Sequence, residues 1–87
     1  MHFEFDPAKS EANKAKHGID FFEAQRLWLD KRNITIPSRY PSEPRFLLIG
    51  VLEEKHWIAI YTYRGNTIRL ISVRRARKEE IEIYESD

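Results

Sequence analysis

Residues 45–74 read RFLLIGVLEEKHWIAIYTYRGNTIRLISVR, and this stretch decides the fold. Arg45 to Leu52 and Trp57 to Arg64 are runs of aliphatic and aromatic residues that read as strands. Glu53-Glu54-Lys55-His56 is the expected hairpin turn between them. Gly65-Asn66 then makes a two-residue turn into a further strand, Thr67 to Arg74, so the three strands form an antiparallel meander. Trp57, Ala59 and Tyr61 fall on one parity, Ile58 and Ile60 on the other. Both sides of the sheet therefore need cover. A chain of 87 residues is short of material for two covers, which points to a partner.

The flanking segments supply the remaining elements. Asn33 to Pro37 is a short strand, and Ser38 to Pro44, with Pro41 and Pro44, an irregular loop. Phe3-Glu4-Phe5 alternates and starts a strand. Asp6-Pro7 is a helix entry, with Asp as N-cap and Pro where a missing N–H costs nothing. The helix runs from Ala8 to His17 and stops at Gly18. Asp20 and Glu23 form a capping box for a second helix over 20–30, with Phe21, Ala24, Leu27 and Trp28 on its core stripe. Ala76 to Glu85 reads as a short last helix. The predicted fold is a single α+β domain over 1–87, in the order β-α-α-β-β-β-β-α, with helices against an antiparallel meander.

Bulk properties exclude several classes. Hydrophobic residues make up 41% of the chain, too many for a disordered segment. There is no cysteine, so neither disulfides nor thiolate ligands are available. No apolar run approaches the roughly 20 residues that cross a bilayer, and the first residues lack a signal-peptide pattern. A cytoplasmic protein without membrane contact is the expectation. Only three glycines are present and none forms a phosphate loop; the histidines lack metal-ligand spacing, so no metal and no cofactor is expected.

The net charge of +1 conceals an asymmetry. Residues 64–78 hold Arg64, Arg69, Arg74, Arg75, Arg77 and Lys78 without an acid, whereas 79–87 hold only acids among their charges. Strand parity places Arg69, Ile71 and Val73 on one face and Leu70, Ser72 and Arg74 on the other. Arg64 and Arg74 should lie at opposite ends of the paired strands. Arginine forks match phosphate oxygens, and Tyr or Trp faces suit unpaired bases. A solvated strand edge is the plain alternative. Basic residues at the entry of the last helix and acids at its exit oppose the macrodipole, which suggests that the arginines serve a ligand. His17 is a possible acid or base, or simply a helix-end cation. Lys9, Asn13 and Lys16 share a helix face that either meets a phosphate backbone or is solvated.

Three motifs carry a resemblance. They are Phe3-Glu4-Phe5-Asp6-Pro7 with Lys9, Asn13, Lys16-His17-Gly18-Ile19, Phe21 and Glu23-Ala24; Arg45 through Ile49-Gly50; and Tyr61-Thr62-Tyr63-Arg64-Gly65 followed by 68–76. In this order the chain resembles the BrnT family of type II toxins. The resemblance implies a RelE-like fold and RNA cleavage that blocks translation. It further implies a BrnA-type antitoxin with a ribbon–helix–helix part, through which alone DNA is reached. On that basis Arg64 and Arg74 are expected at the scissile phosphate, supported by Arg75 and Arg69, with Tyr61 and His17 as candidates for proton transfer or stacking. Lys9, Lys16, Arg77 and Lys78 are further RNA contacts. A non-catalytic nucleic-acid module and a protein-interaction module remain as alternatives on the same basic surface.

Overall fold

The computed structural model describes residues 1–38 and 43–86, so the middle of the expected 38–44 loop lies outside the described residues. The elements are β1 (His2–Glu4), α1 (Pro7–His17), α2 (Phe21–Ala24), a 3₁₀ segment (Gln25–Leu29), β2 (Ile34–Ser38), β3 (Arg45–Leu52), β4 (Lys55–Arg64), β5 (Thr67–Arg75) and α3 (Lys78–Glu85). The sheet has the order β1-β5-β4-β3-β2. The meander β2 to β5 is antiparallel as expected. β1 departs from that pattern, because it adds to the outer edge of β5 in parallel. The sheet is therefore mixed.

Local chemistry explains the first helix. The Asp6 carboxylate accepts from the Ala8 N–H at 2.9 Å, Pro7 opens the helix, and Gly18 closes it in the left-handed region at φ 84°. The capping box of α2 is complete: Asp20 accepts from the Glu23 N–H at 2.7 Å, and Glu23 from the Asp20 N–H at 2.9 Å. After Ala24 the chain tightens to 3₁₀, so the expected second helix is one α turn continued by a 3₁₀ segment. Its buried side chains Phe21, Ala24 and Leu27 recur every three residues. That spacing keeps one stripe inward in a helix of three residues per turn.

The core has two parts, one on each side of the sheet. On the first face α1, α2 and the 3₁₀ segment bury Phe21, Leu27, Leu48, Trp57, Tyr61, Leu70 and Val73. On the second face α3 closes Ile49 and Ile58 beneath Tyr84. Ile36, Leu47 and Ile60 continue that second cluster and are only partly buried. The chain thus covers one face fully and the other in part.

β5 carries one extra residue. Tyr61 pairs with Leu70 but Ile60 with Ser72, so Ile71 has no partner and forms a bulge. The expected alternation fails there: Leu70 and Val73 both enter the first core, while Arg69 and Arg74 share the second face. At the β3–β4 hairpin the loop is tighter than expected, only Glu53 and Glu54, at φ 53° and 67°. A two-residue turn with both φ positive suits Asn-Gly, and each non-glycine there costs about 1–2 kcal/mol. Glu54→Gly is expected to raise stability by about 0.5–1 kcal/mol after glycine's extra unfolded-state entropy is deducted. A urea midpoint shifted upward would show it. Among the described residues no helix is long and apolar enough to cross a membrane.

Candidate nucleic-acid interface

The uncovered half of the second face is rimmed by arginines. Register puts Arg69 opposite Thr62 on β4 and Glu4 on β1, and Arg64 opposite Thr67. The Glu4 carboxylate joins the two, with Oε2 3.0 Å from Arg69 Nη1 and 3.8 Å from Arg64 Nε. A guanidinium has five N–H donors, so one contact to Glu4 leaves most of each fork for another anion. Arg64 is 61% exposed, at the end of β4. His2 stands in the same row, opposite Thr67. Arg45 pairs with Ser38 on the far side of this face and lies 3.5 Å from Glu43. The Thr62 hydroxyl between them donates to the Pro44 carbonyl at 2.6 Å.

Arg74 is elsewhere. It sits opposite Ile58, six residues along β4 from Arg64, or about 20 Å at the usual strand rise. Its guanidinium binds both Glu80 oxygens, at 2.9 and 2.8 Å. Both side chains are less than a fifth exposed, at 19% and 17%. The expected pairing of Arg64 and Arg74 on one phosphate is therefore corrected: each is pinned to a different carboxylate at a different end of the sheet. The macrodipole argument changes too. Glu79 and Glu80 stand in the first turn of α3, and Glu80 also accepts from the Arg77 N–H at 2.7 Å. The helix entry is acidic where the dipole favours acid, and Arg74 is that acid's counter-ion.

This pair is structural, and it gives a prediction. The hydrogen bonds from Arg74 hold the Glu80 carboxyl below the usual carboxylate range, against the opposing effect of burial. A depressed folded value means that stabilisation is present above the ordinary Glu range and is lost as pH falls through the folded value. Arg74→Ala should lower stability at neutral pH by about 2 kcal/mol, below the 3–5 of a fully buried pair because water reaches this one. The deficit should shrink in acid, which urea midpoints at pH 7 and at about pH 3 would test.

Other anchors hold α3 down. The Tyr84 hydroxyl donates to Asp30 at 2.7 Å, and His56 meets Glu85 at 2.8 Å. Burial, followed by the bond to Asp30, pushes the Tyr84 phenol up to about 12.

The remaining nominated residues scatter. Arg75 lies over the Trp57 ring at 5.4 Å, toward the first face. Arg77 caps α3 and Lys78 begins it, both exposed. Tyr61 is 2% exposed, packed among Trp28, Phe46 and Tyr63. Its neighbour Tyr63 is 52% exposed but shares the first face with it, across the sheet from Arg64 and Arg69. Lys9, Lys16 and His17 line a groove of about 240 Å³ between α1 and β5, closed by Ile71 and Ser72. His17 also stands with Lys14 and Lys16 in the last turn of α1, a placement the macrodipole favours.

Asn13 does not face a phosphate. Its amide is buried and spent on the backbone of Val73 and Ile19. Sequence reasoning missed Glu4, His2 and Arg45. Strand parity exposes their faces, but only the parallel pairing of β1 with β5 brings Glu4 and His2 to the arginines. Among the described residues no group of three or more His, Cys, Asp or Glu is arranged to hold a metal.

No curated protein matches the chain. A family model does, over residues 5–80, and it describes the ribonuclease toxin, BrnT, of type II toxin–antitoxin systems. With so much of its length matched, the chain belongs to the BrnT family of ribonuclease toxins.

Proposed function

We propose that the chain cleaves RNA by metal-independent transesterification on the open half of the second face, blocks translation by doing so, and is neutralised by a BrnA-type antitoxin. Family membership brings the ribonuclease toxin, the RNA substrate and an antitoxin partner. The convergence of Arg64 and Arg69 on one carboxylate carries the placement. Carboxylate and phosphate offer a guanidinium the same pair of oxygens, so a clamp that fits Glu4 suits a phosphodiester. Fixed cations also stabilise the charge that builds on phosphorus as it becomes five-coordinate.

In this reading Arg77 and Lys78 meet RNA at the α3 end of the sheet, Arg75 lies over Trp57 toward the other face, and Arg74 keeps that end folded. Lys9, Lys16 and His17 take the flanking strand where it passes the edge of β5. Neither Tyr61 nor Tyr63 takes a base here, because both lie on the first face, across the sheet from Arg64 and Arg69. The partly buried Ile36, Leu47 and Ile60 give the antitoxin an apolar footing beside the arginines, so its binding would block the site. The RelE-like fold, a cytoplasmic site of action, and DNA contact only through the antitoxin belong to the same reading.

The test is incubation of partner-free protein with labelled RNA in EDTA. Fragments with 2′,3′-cyclic phosphate and 5′-hydroxyl ends are expected. Intact RNA from folded, monodisperse protein would overturn the reading. Binding that weakens steeply with salt, without cleavage, would identify a non-catalytic nucleic-acid module instead.

A further inference from the structure

An arginine clamp does not by itself move protons, and cleavage at a ribose requires two transfers. One proton leaves the 2′-hydroxyl and one reaches the departing 5′-oxygen. The chain has three histidines. His56 is held by Glu85 and packed edge-on against Tyr84, on the side closed by α3. His17 lies in the groove between α1 and β5, away from Arg64. His2 is exposed and shares the row Thr67–Arg64. Two residues further along β1, on the same face, is Glu4, already in contact with both arginines. Neighbouring strands lie about 4.8 Å apart, so His2, Glu4, Arg64 and Arg69 surround a patch the size of one sugar–phosphate unit.

We infer that His2 and Glu4 are the proton-transfer pair of this site, an inference that rests on the ribonuclease reading above. Arg64 and Arg69 hold the non-bridging oxygens of the phosphate. The Glu4 carboxylate takes the proton of the 2′-hydroxyl as that oxygen bonds to phosphorus. The bond from phosphorus to the 5′-oxygen breaks, and the imidazolium of His2 gives its proton to that oxygen. The products are a 2′,3′-cyclic phosphate and a 5′-hydroxyl. One proton has passed to Glu4 and one has left His2, and exchange with water restores both. Imidazole is the side chain best suited to give a proton near neutral pH. A carboxylate beside the phosphate-binding cations is placed to receive one.

The experiment uses the full chain without an N-terminal tag and compares wild type, His2→Ala and Glu4→Gln on two RNAs. One is unmodified; the other carries sulfur in place of the bridging 5′-oxygen at the cleaved position. A thiolate leaves without a proton, so loss of a general acid is forgiven on the sulfur substrate. On ordinary RNA both variants should lose at least about 100-fold in kcat, with KM within about 3-fold of wild type. On the sulfur substrate His2→Ala should return to within about 5-fold of wild type, and Glu4→Gln should remain slow. A folded His2→Ala variant that cleaves ordinary RNA at the wild-type rate overturns the inference and leaves the ribonuclease reading standing. So does a His2→Ala variant equally slow on both substrates. A wild-type chain that cleaves neither RNA overturns the ribonuclease reading itself, and this inference with it.

Discussion

Replacing Arg64 and Arg69 together by alanine is expected to lower RNA cleavage at least about 1000-fold while leaving the fold intact. Removing one preorganised donor from a developing oxyanion costs about 100- to 1000-fold. Two arginines on one phosphate act as a unit, so the second removal adds less than a full further factor. The cost to folding is small for a reason visible in the structure. Arg64 is mostly exposed, and the Arg69–Glu4 pair is reached by solvent on both sides. Pairs of that kind contribute about 0–1 kcal/mol. Glu4 left alone is hydrated rather than stranded. Cleavage rates and thermal melts on the same preparations would check both halves of the statement. The salt dependence of RNA binding should also flatten by about 1.4 in log–log slope, the value for two lost contacts to a single strand. Cleavage that survives the double substitution would move the phosphate site away from this rim.

Asn13→Ala should lower stability by about 3 kcal/mol, as much as truncating a buried core side chain. β1 ends opposite Arg69, so among the described residues β5 beyond that point has no neighbouring strand on its outer side. Asn13 reaches from α1 to fill the gap at Val73. Its amide donates to the Val73 carbonyl at 2.9 Å, and its oxygen accepts from the Val73 N–H at 3.2 Å. The same amide donates to the Ile19 carbonyl at 2.8 Å, tying the start of α2 to the sheet edge. Each buried backbone group left unpaired costs about 1–3 kcal/mol. The sum stays near 3 because the adjoining groove admits some water. In a chain of this size that lowers the thermal midpoint by more than about 10 °C. Asn13→Asp keeps the shape but turns a carboxylate oxygen toward two carbonyls, and should be at least as damaging. Variants that melt within a few degrees of wild type would show that water replaces the amide without loss.

What could be read from the sequence was local. The caps at Asp6, Gly18 and Asp20 and the hairpin strands depend on neighbours within a few residues, and they formed as read. The second helix shortened because its three-residue spacing suits 3₁₀ as well as α, and pattern alone does not separate the two. The parallel docking of β1 on β5 spans more than sixty positions of chain, and no local signal announces it. Glu4 and His2 were invisible as site residues for that reason. Arg64 and Arg69 were legible as candidates from charge, but their grouping was not. Parity assigned Arg69 to the wrong face, and the strongest basic cluster hid that one of its members, Arg74, already had a buried partner. RNA as substrate came from the family resemblance rather than from composition.

The bulge at Ile71 absorbs one residue more than plain pairing of β5 with β4 needs. Losing the Ile71 codon would make Leu70 and Ser72 successive partners of Tyr61 and Ile60, so Val73 stays in the first core and Arg74 on the second face. Such a deletion removes one side chain and the local bend of the bulge, and should cost far less than a slip of register.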